Sequence, residues 1–186
     1  MKRESTRRAD ILEAALRVIA ERGVDAMTHR AVATSAGVSL AATTYYFDSK
    51  DALVAEALEL VVDRSLELVR ERCAVDGPIS LPDLVERLID LALAQLASER
   101  APIVAEFELM LEAGRRPALR GLAERWSDEY AASIVDLVRA AGLGQPELRT
   151  AMVTCMLEGA LLGQLAVPIE PFADAYLRPM LQRALG

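Results

Sequence analysis

Apolar residues recur at helical spacing along almost the whole of this 186-residue chain, and this regularity constrains its fold more than any other feature. The apolar positions from Ile11 to Ile19, for example, fall on one face of a helix. The alternation of apolar and polar residues that marks a half-buried strand is hard to find. Ala and Leu dominate the composition, with many Glu and Arg, and all four favour helices. The sequence therefore predicts an all-α protein.

Glycines, prolines and capping residues divide this pattern into three short helices followed by about six longer ones. The predicted helices are 6–22, 28–35 and 39–46, one from Asp51 to before Gly77, one from Ser80 past Leu96, and then 102–114, 117–141, 146–167 and 171–185. Asp48 and Asp51 resemble a weak capping box at the start of the fourth helix. Pro179 falls within the last helix and is expected to kink or end it.

The charge of the chain is uneven, although its formal net charge is -7. Residues 1–50 contain eight Lys or Arg and six Asp or Glu, whereas residues 51–186 contain 13 and 22. A net negative protein is a poor general binder of nucleic acid, so only the basic amino-terminal end is a candidate for an anionic partner. A solvated terminal segment is the simpler explanation of the same charges.

Metal, cofactor and catalytic chemistry find little support in the composition. Cys73 and Cys155 lie in predicted helices and one histidine is present, so we expect no metal site and no cofactor. A helical di-metal enzyme would need two Glu-x-x-His pairs, so no catalytic residue is predicted. The charged first residues, and the polar side chains within the apolar stretch 151–167, predict a cytoplasmic protein without a signal peptide or membrane span.

Residues 28–46 form the most informative segment of the chain. Thr28 and Ser39 can each cap a short helix, and Gly37 between them supplies the positive φ of a tight turn. Ala33 is small enough for two helices to cross closely. These features together predict a helix-turn-helix, a unit whose second helix lies in the major groove of DNA.

The predicted second helix carries hydroxyl and aromatic side chains and no charge. Thr43, Thr44 and Tyr45 offer hydroxyls to phosphates or bases, and the two threonines also offer methyl groups to thymine. This composition suits a helix that contacts DNA better than a helix that only packs.

The stretch MTHRAVATSAGVSLAATTYYFDSKDAL, residues 27–53, resembles the DNA-binding signature of tetracycline-repressor-type (TetR/AcrR) transcriptional regulators. The resemblance is close over residues 6–60 and covers the remainder only in length and helical layout. It implies a three-helix DNA-binding domain, residues 1–49, and a larger helical domain for ligand binding and dimerisation, residues 50–186. It also implies a bacterial regulator, most often a repressor, that leaves a palindromic operator when a small molecule binds.

Family roles carry over to positions on both sides of the turn. Arg30 would contact DNA from the start of the second helix, and Lys50 would contact a phosphate from the fourth. The predicted DNA-binding residues are Thr28, His29, Arg30, Ser39, Leu40, Ala42, Thr43, Thr44, Tyr45, Tyr46 and Lys50. Simpler explanations stand beside three of them, since Tyr46 can be core, His29 a surface residue and Lys50 a solvated helix start.

The recognition helix departs from the family pattern at four positions. Leu40 replaces the usual Lys or Gln, and Ala42 replaces the usual phosphate-binding Thr. Thr43 stands where a core Leu is usual, and Thr44 where a Tyr often follows. The operator sequence therefore cannot be inferred from the resemblance, and phosphate contact is expected to shift to Thr43 or Thr44.

The helix at 146–167 is apolar on almost every side, so it must be covered on every side. One chain covers one side and a second copy would cover the other, where Gly159 and Gly163 allow close approach. We expect this helix and 171–185 to form a four-helix bundle about a two-fold axis, the alternative being a central helix of a monomer. The predicted interface residues are Met156, Gly159, Leu162, Gly163 and Leu177.

A ligand pocket is expected between the middle helices, although plain core packing explains the same residues equally well. The candidates are Phe107, Met110, Leu111, Trp126, Tyr130, Met152 and Met156. Glu106, Glu108 and Glu158 lie near apolar surface and would meet a cationic ligand. An ion pair with an arginine such as Arg115 or Arg116 is the alternative. The alternative function for the whole chain is a helical interaction module that has lost specific DNA binding.

Overall fold

The computed structural model describes residues 2–97 and 100–186, with side chains from Thr6 onward in those ranges. Every regular element in this part of the chain is helical, so the all-α prediction is confirmed. The helices are α1 (Lys2–Ala26), α2 (His29–Ala36), α3 (Leu40–Tyr46), α4 (Lys50–Cys73), α5 (Leu81–Ala97), α6 (Arg100–Arg115), α7 (Pro117–Ala140), α8 (Pro146–Ala166) and α9 (Arg178–Leu185). A five-residue π-helix, Ala173–Leu177, precedes α9.

The helix starts follow the capping chemistry of the sequence. Thr28 Oγ1 accepts a hydrogen bond from the Ala31 amide at 3.1 Å, which confirms Thr28 as the cap of α2. The prediction for α4 was wrong in detail, because Ser49 Oγ, rather than Asp48, accepts from the first turn, at 3.1 Å from the Ala52 amide. The hydroxyl is one residue closer to the helix start and reaches the free amide directly.

Packing divides the chain into two compact units, and the first comprises Met1–Arg64 with Ser98–Glu124. Within it, α1 packs against α2 and α6. The fully buried side chains of this unit include Ile11, Leu16, Ile19, Phe47 and Leu53. The functional boundary expected at residues 49 and 50 remains a prediction, since a packing unit and a functional domain are different divisions of a chain.

The second unit comprises Ser65–Ala97 with Arg125–Gly186. In it, α5, α8 and α9 pack together around side chains such as Leu84, Leu88 and Leu181. The indole nitrogen of Trp126 donates a hydrogen bond to Ser65 Oγ at 3.2 Å, which satisfies the polar atoms of both buried side chains.

The interruption expected at Pro179 is present in a specific form. Proline has no amide hydrogen, and its ring crowds the carbonyl four residues earlier in an α-helix. The chain winds as a π-helix up to Leu177, where the Arg178 amide bonds Ala173 O, and becomes α-helical from Arg178 onward. Among residues 2–97 and 100–186, none of the helices has both the length and the hydropathy that a membrane span requires.

Candidate nucleic-acid interface

The turn between α2 and α3 is built by local backbone chemistry. Gly37 has φ of 66°, a left-handed conformation that side chains with a Cβ rarely adopt. The Val38 amide then donates to Ala33 O at 3.0 Å, which closes α2 with a Schellman-type bond. Ser39 Oγ accepts from the Ala42 amide at 3.2 Å and caps α3, which begins at the next residue, Leu40. This sequence of bonds fixes the angle at which α3 leaves α2.

The outer side of α3 carries four exposed residues that lie together at 100° per residue: Leu40, Ala41, Thr44 and Tyr45. We call this set the recognition face. Tyr45 is 74% exposed and Leu40 is 45% exposed, high values for large apolar side chains. None of the four side chains carries a charge or an amide group. Ala41 was not predicted as a site residue, because a methyl group gives no chemical signal in a sequence.

Thr43 does not lie on the recognition face, and its predicted role in DNA contact was wrong. Its side chain is fully buried, and its hydroxyl donates to Leu40 O at 2.8 Å. The methyl group therefore takes the core position where the family usually has Leu, while the helix itself satisfies the hydroxyl. Ala42 and Tyr46 are half-buried beside it, and Tyr46 meets Tyr45 edge to face at 5.1 Å.

The predicted contacts that flank α3 are placed as follows. Arg30 is exposed at the start of α2, and no described residue pairs with its guanidinium. His29 is half-buried, and its Nδ1 has no hydrogen-bond partner in the described chain. Lys50 Nζ donates to Asp25 O at 2.8 Å, so the ammonium is held at the end of α1 with further donors for a phosphate.

Side chains from α1 contact the carboxyl ends of α2 and α3. The Arg8 guanidinium lies over the Phe47 ring at 5.3 Å from its centroid and forms an ion pair with Glu56. Arg17 reaches Ser35 O at 3.5 Å. The end of α3 and the end of α2 are therefore both tied to α1.

Arg116, after the end of α6, contacts the end of α1 and the start of α4, the two helices that flank the helix-turn-helix. Arg116 contacts Glu112 at 2.6 Å, Asp25 at 2.9 Å and Asp51 at 3.5 Å. Glu112 is buried and also accepts from Arg115 at 2.7 Å. Hydrogen bonds from Arg115 and then Arg116 lower the pKa of the Glu112 carboxyl, against the opposing effect of burial. The arginines suggested as partners for other glutamates thus pair with Glu112, which the sequence did not indicate.

The predicted pocket residues divide between the two packing units. Phe107, Met110 and Leu111 belong to the first, and Leu111 is 59% exposed. Those of the second unit are Trp126, Tyr130, Met152 and Met156. Trp126 and Tyr130 are buried core residues with ring centroids 5.1 Å apart, whereas Met152 is 42% exposed. A pocket formed by these residues remains a prediction.

An exposed apolar stripe runs along α8. Its members recur every four and three residues: Leu148, Met152, Cys155, Gly159, Leu162 and Ala166. Of the predicted interface residues, Gly159, Leu162 and Gly163 are exposed and Met156 is half-buried. The prediction that Leu177 lies in the dimer interface was wrong. Leu177 is only 1% exposed within its own chain, so it has no surface for a second copy to contact. The 4-3 spacing from Leu148 onward was readable in the sequence and would have extended the predicted set.

A capped α2, a glycine turn and an exposed α3 define a helix-turn-helix DNA-binding protein. Residues 11–57 match the family described as bacterial regulatory proteins, tetR family, and residues 80–186 match the tetracyclin repressor-like C-terminal domain. The chain belongs to this family of transcriptional regulators, which confirms the resemblance carried by residues 27–53.

Individual relatives extend over nearly the whole chain. The HTH-type nicotine-responsive transcriptional repressor HdnoR of Paenarthrobacter nicotinovorans is 31% identical over 92% of this chain and 94% of its own length. The structure of the TetR family member SCO1917 from Streptomyces coelicolor A3 is similar with a TM-score of 0.73 at 29% identity, covering 97% of this chain and 98% of that one. The multidrug binding protein EbrR complexed with proflavin has a TM-score of 0.60 at 32% identity, over 96% and 99% of the two chains.

Proposed function

We propose that this protein is a cytoplasmic, homodimeric repressor that binds a palindromic operator and releases it when a small molecule binds. The recognition face of α3 carries this proposal. A short helix that exposes Leu40 and Tyr45 to water has no folding reason to do so, whereas a duplex groove would cover both. The relative HdnoR is named as a repressor, which supports the sign of regulation.

A second copy of the chain is the proposed partner of the α8 stripe. Leu148 is 56% exposed and Leu162 is 51% exposed, and both lie on one continuous apolar line. A methyl group at Gly159 or Gly163 would meet no described atom within 4 Å outside the helix backbone, so the chain itself does not require glycine there. Glycine inside a helix costs about 0.5–1 kcal/mol relative to alanine. Close approach of a partner helix would account for that cost. In a two-fold symmetric dimer, the helix that packs against α8 is the α8 helix of the second copy.

The proposed ligand class is an organic compound with a basic nitrogen. Glu158 is half-buried on α8, burial raises the pKa of its carboxyl, and no described residue pairs with it. Thr154 and Thr150 follow at one-turn intervals, and the hydroxyl oxygens of both are buried without a described hydrogen-bond partner. Unsatisfied buried groups cost about 1–3 kcal/mol each, and a ligand that bonds to them would recover this energy. HdnoR is nicotine-responsive and EbrR binds proflavin, and both compounds contain basic nitrogen.

The proposed mechanism is a shift between two populations of the dimer. Two recognition helices bind one palindrome only when their separation matches one turn of the duplex, about 34 Å, or a multiple of it. A ligand that binds better to a dimer with another separation lowers the population that fits the operator. The energy available for release equals the difference in ligand affinity between the two forms.

Selection of bound duplexes from a random DNA pool tests this function. We expect an enriched palindrome, bound in a salt-dependent way because phosphates are neutralised. Arg30→Ala should weaken binding, whereas Arg120→Ala, an exposed arginine on α7, is the matched control and should not. A folded protein that enriches no sequence, or that binds all sequences alike, would instead favour the interaction module.

A further inference from the structure

We propose that α3 recognises its half-site mainly through the methyl groups of thymine rather than by hydrogen bonds to base edges. This inference rests on the proposed function, since it specifies the chemistry of the DNA that the recognition face binds. It follows from which groups α3 exposes and which of its hydrogen bonds are already made.

The hydroxyl groups around the recognition face are largely used within α3 itself. The single hydroxyl hydrogen of Thr44 is donated to the carbonyl oxygens of Leu40 and Ala41, which both lie 3.2 Å from Oγ1. Thr43 is buried and donates to Leu40 O. Ser39 Oγ is the helix cap and accepts from the Ala42 amide. On the recognition face, therefore, only the Tyr45 hydroxyl remains as a side-chain donor with no bond inside the helix.

Apart from the Tyr45 hydroxyl and the Thr44 oxygen, the surface of this face is apolar. It consists of the Leu40 side chain, the Ala41 and Thr44 methyl groups and the Tyr45 ring. Guanine and adenine are normally recognised in the major groove by bidentate Arg, Lys, Asn or Gln, and α3 contains none of these. Thymine presents a C5-methyl group in the same groove, and aliphatic side chains contact it. The chemistry of the face therefore matches thymine.

Leu40 is the residue best placed to make such a contact. It is the first residue of α3, and the amino-terminal residues of a recognition helix are those that reach base edges. It is 45% exposed, so a large apolar area is available to be covered. Hydrogen-bond recognition of a guanine is left to Arg30, whose guanidinium has no partner among the described residues.

Replacing each thymine of the selected operator by deoxyuridine tests the proposal, because this removes one methyl group and keeps every hydrogen-bonding group. We expect about fourfold weaker binding for each thymine that α3 contacts, the value for one buried methyl group. Replacing guanine by 7-deazaguanine should weaken binding only at the position that Arg30 reads.

A mutant cycle assigns the contact to Leu40. In Leu40→Ala, deoxyuridine at the contacted position should no longer reduce affinity, while deoxyuridine elsewhere should act as in the wild type. Leu93→Ala, an exposed leucine on α5, is the control and should leave every uracil effect unchanged. Because Leu40 is exposed, the variant should keep its helical circular dichroism.

The outcomes separate this proposal from the proposed function. Operator binding that is insensitive to deoxyuridine at every thymine would overturn the methyl proposal and leave the repressor intact. Loss of affinity with 7-deazaguanine at several positions beneath α3 would also overturn it. If no duplex is enriched from the random pool, both proposals fail together.

Discussion

Arg116 Nη2 lies 2.9 Å from Asp25 Oδ1, although 91 residues separate the two in the chain. Arg116 forms the link between α6 and α7, and Asp25 lies near the carboxyl end of α1, directly before the helix-turn-helix. The same guanidinium contacts buried Glu112 at 2.6 Å. The end of α6 is thereby attached to the DNA-binding segment through one side chain.

Removing this side chain should destabilise the protein. In Arg116→Ala the buried Glu112 carboxylate keeps only Arg115, so we expect a loss of about 1–3 kcal/mol in the free energy of unfolding. The pair with Asp25 adds little, since that carboxylate is 91% exposed. Urea denaturation at one protein concentration measures the effect. Arg120→Ala is the control and should change stability by less than about 0.5 kcal/mol; equal effects of the two variants would contradict the assignment.

The same cluster predicts a pH dependence of stability. Hydrogen bonds from Arg115 and Arg116 hold the pKa of Glu112 below its ordinary value of 4.5. The unfolded chain therefore takes up this proton at higher pH than the native chain, so the stabilisation is present above 4.5 and is lost as the pH falls through the native pKa. Glu112→Gln should be less stable than the wild type at neutral pH, and the difference should shrink below pH 4.5. Urea denaturation midpoints measured across this pH range test the prediction, with Glu21→Gln as the control variant. A stability difference between wild type and Glu112→Gln that stays constant with pH would contradict it.

The α8 stripe predicts the assembly state. A glutamate placed at Leu162 would be buried against apolar surface in the proposed dimer, which is strongly unfavourable for a charge. We expect Leu162→Glu to sediment as a folded monomer and to lose operator binding, because one recognition helix alone reaches only one half-site. Leu93→Glu places the same charge on an exposed leucine of α5 and should remain dimeric. If Leu162→Glu is still dimeric, the dimer interface does not lie on this stripe.

Glu158 predicts the charge of the ligand. With proflavin as the probe, Glu158→Gln should weaken binding about tenfold or more, since a hydrogen bond to a charged group contributes about 1.5–3 kcal/mol. Fluorescence titration measures the affinity. Glu71→Gln replaces an exposed glutamate of α4 and should bind like the wild type. If Glu158→Gln binds proflavin with unchanged affinity, the Glu158 carboxylate does not contribute to proflavin binding.

Local features of this fold were predictable from sequence, and features set by packing were not. Thr28, Gly37 and Ser39 act through atoms within a few residues of themselves, so their roles in α2, the turn and α3 were identified correctly. Thr43 and Leu177 were assigned to surfaces and are buried, because the side of a short amphipathic helix that faces inward depends on its neighbours.

The Arg116 cluster lay beyond prediction for a related reason. Its partners come from α1, α4 and α6, and no sequence pattern connects them. The recognition face was an intermediate case. Its residue types were evident in the sequence, but the internal use of the Thr44 hydroxyl appears only when helix geometry brings Oγ1 to the carbonyls of the preceding turn.

The uncharged recognition face also bears on how the protein is shared between its operator and the rest of a chromosome. Affinity for arbitrary duplex comes almost entirely from cations that displace counterions, and α3 supplies none to a chain of net charge -7. Covering Leu40 and Tyr45 with the correct bases depends little on salt. In the proposed complex the preference for the operator would therefore change little with ionic strength, while binding to arbitrary duplex weakens as ionic strength rises, so fewer molecules would be held on the roughly 10⁶ or more competing sites of a genome. A small number of copies per cell can then keep the operator occupied.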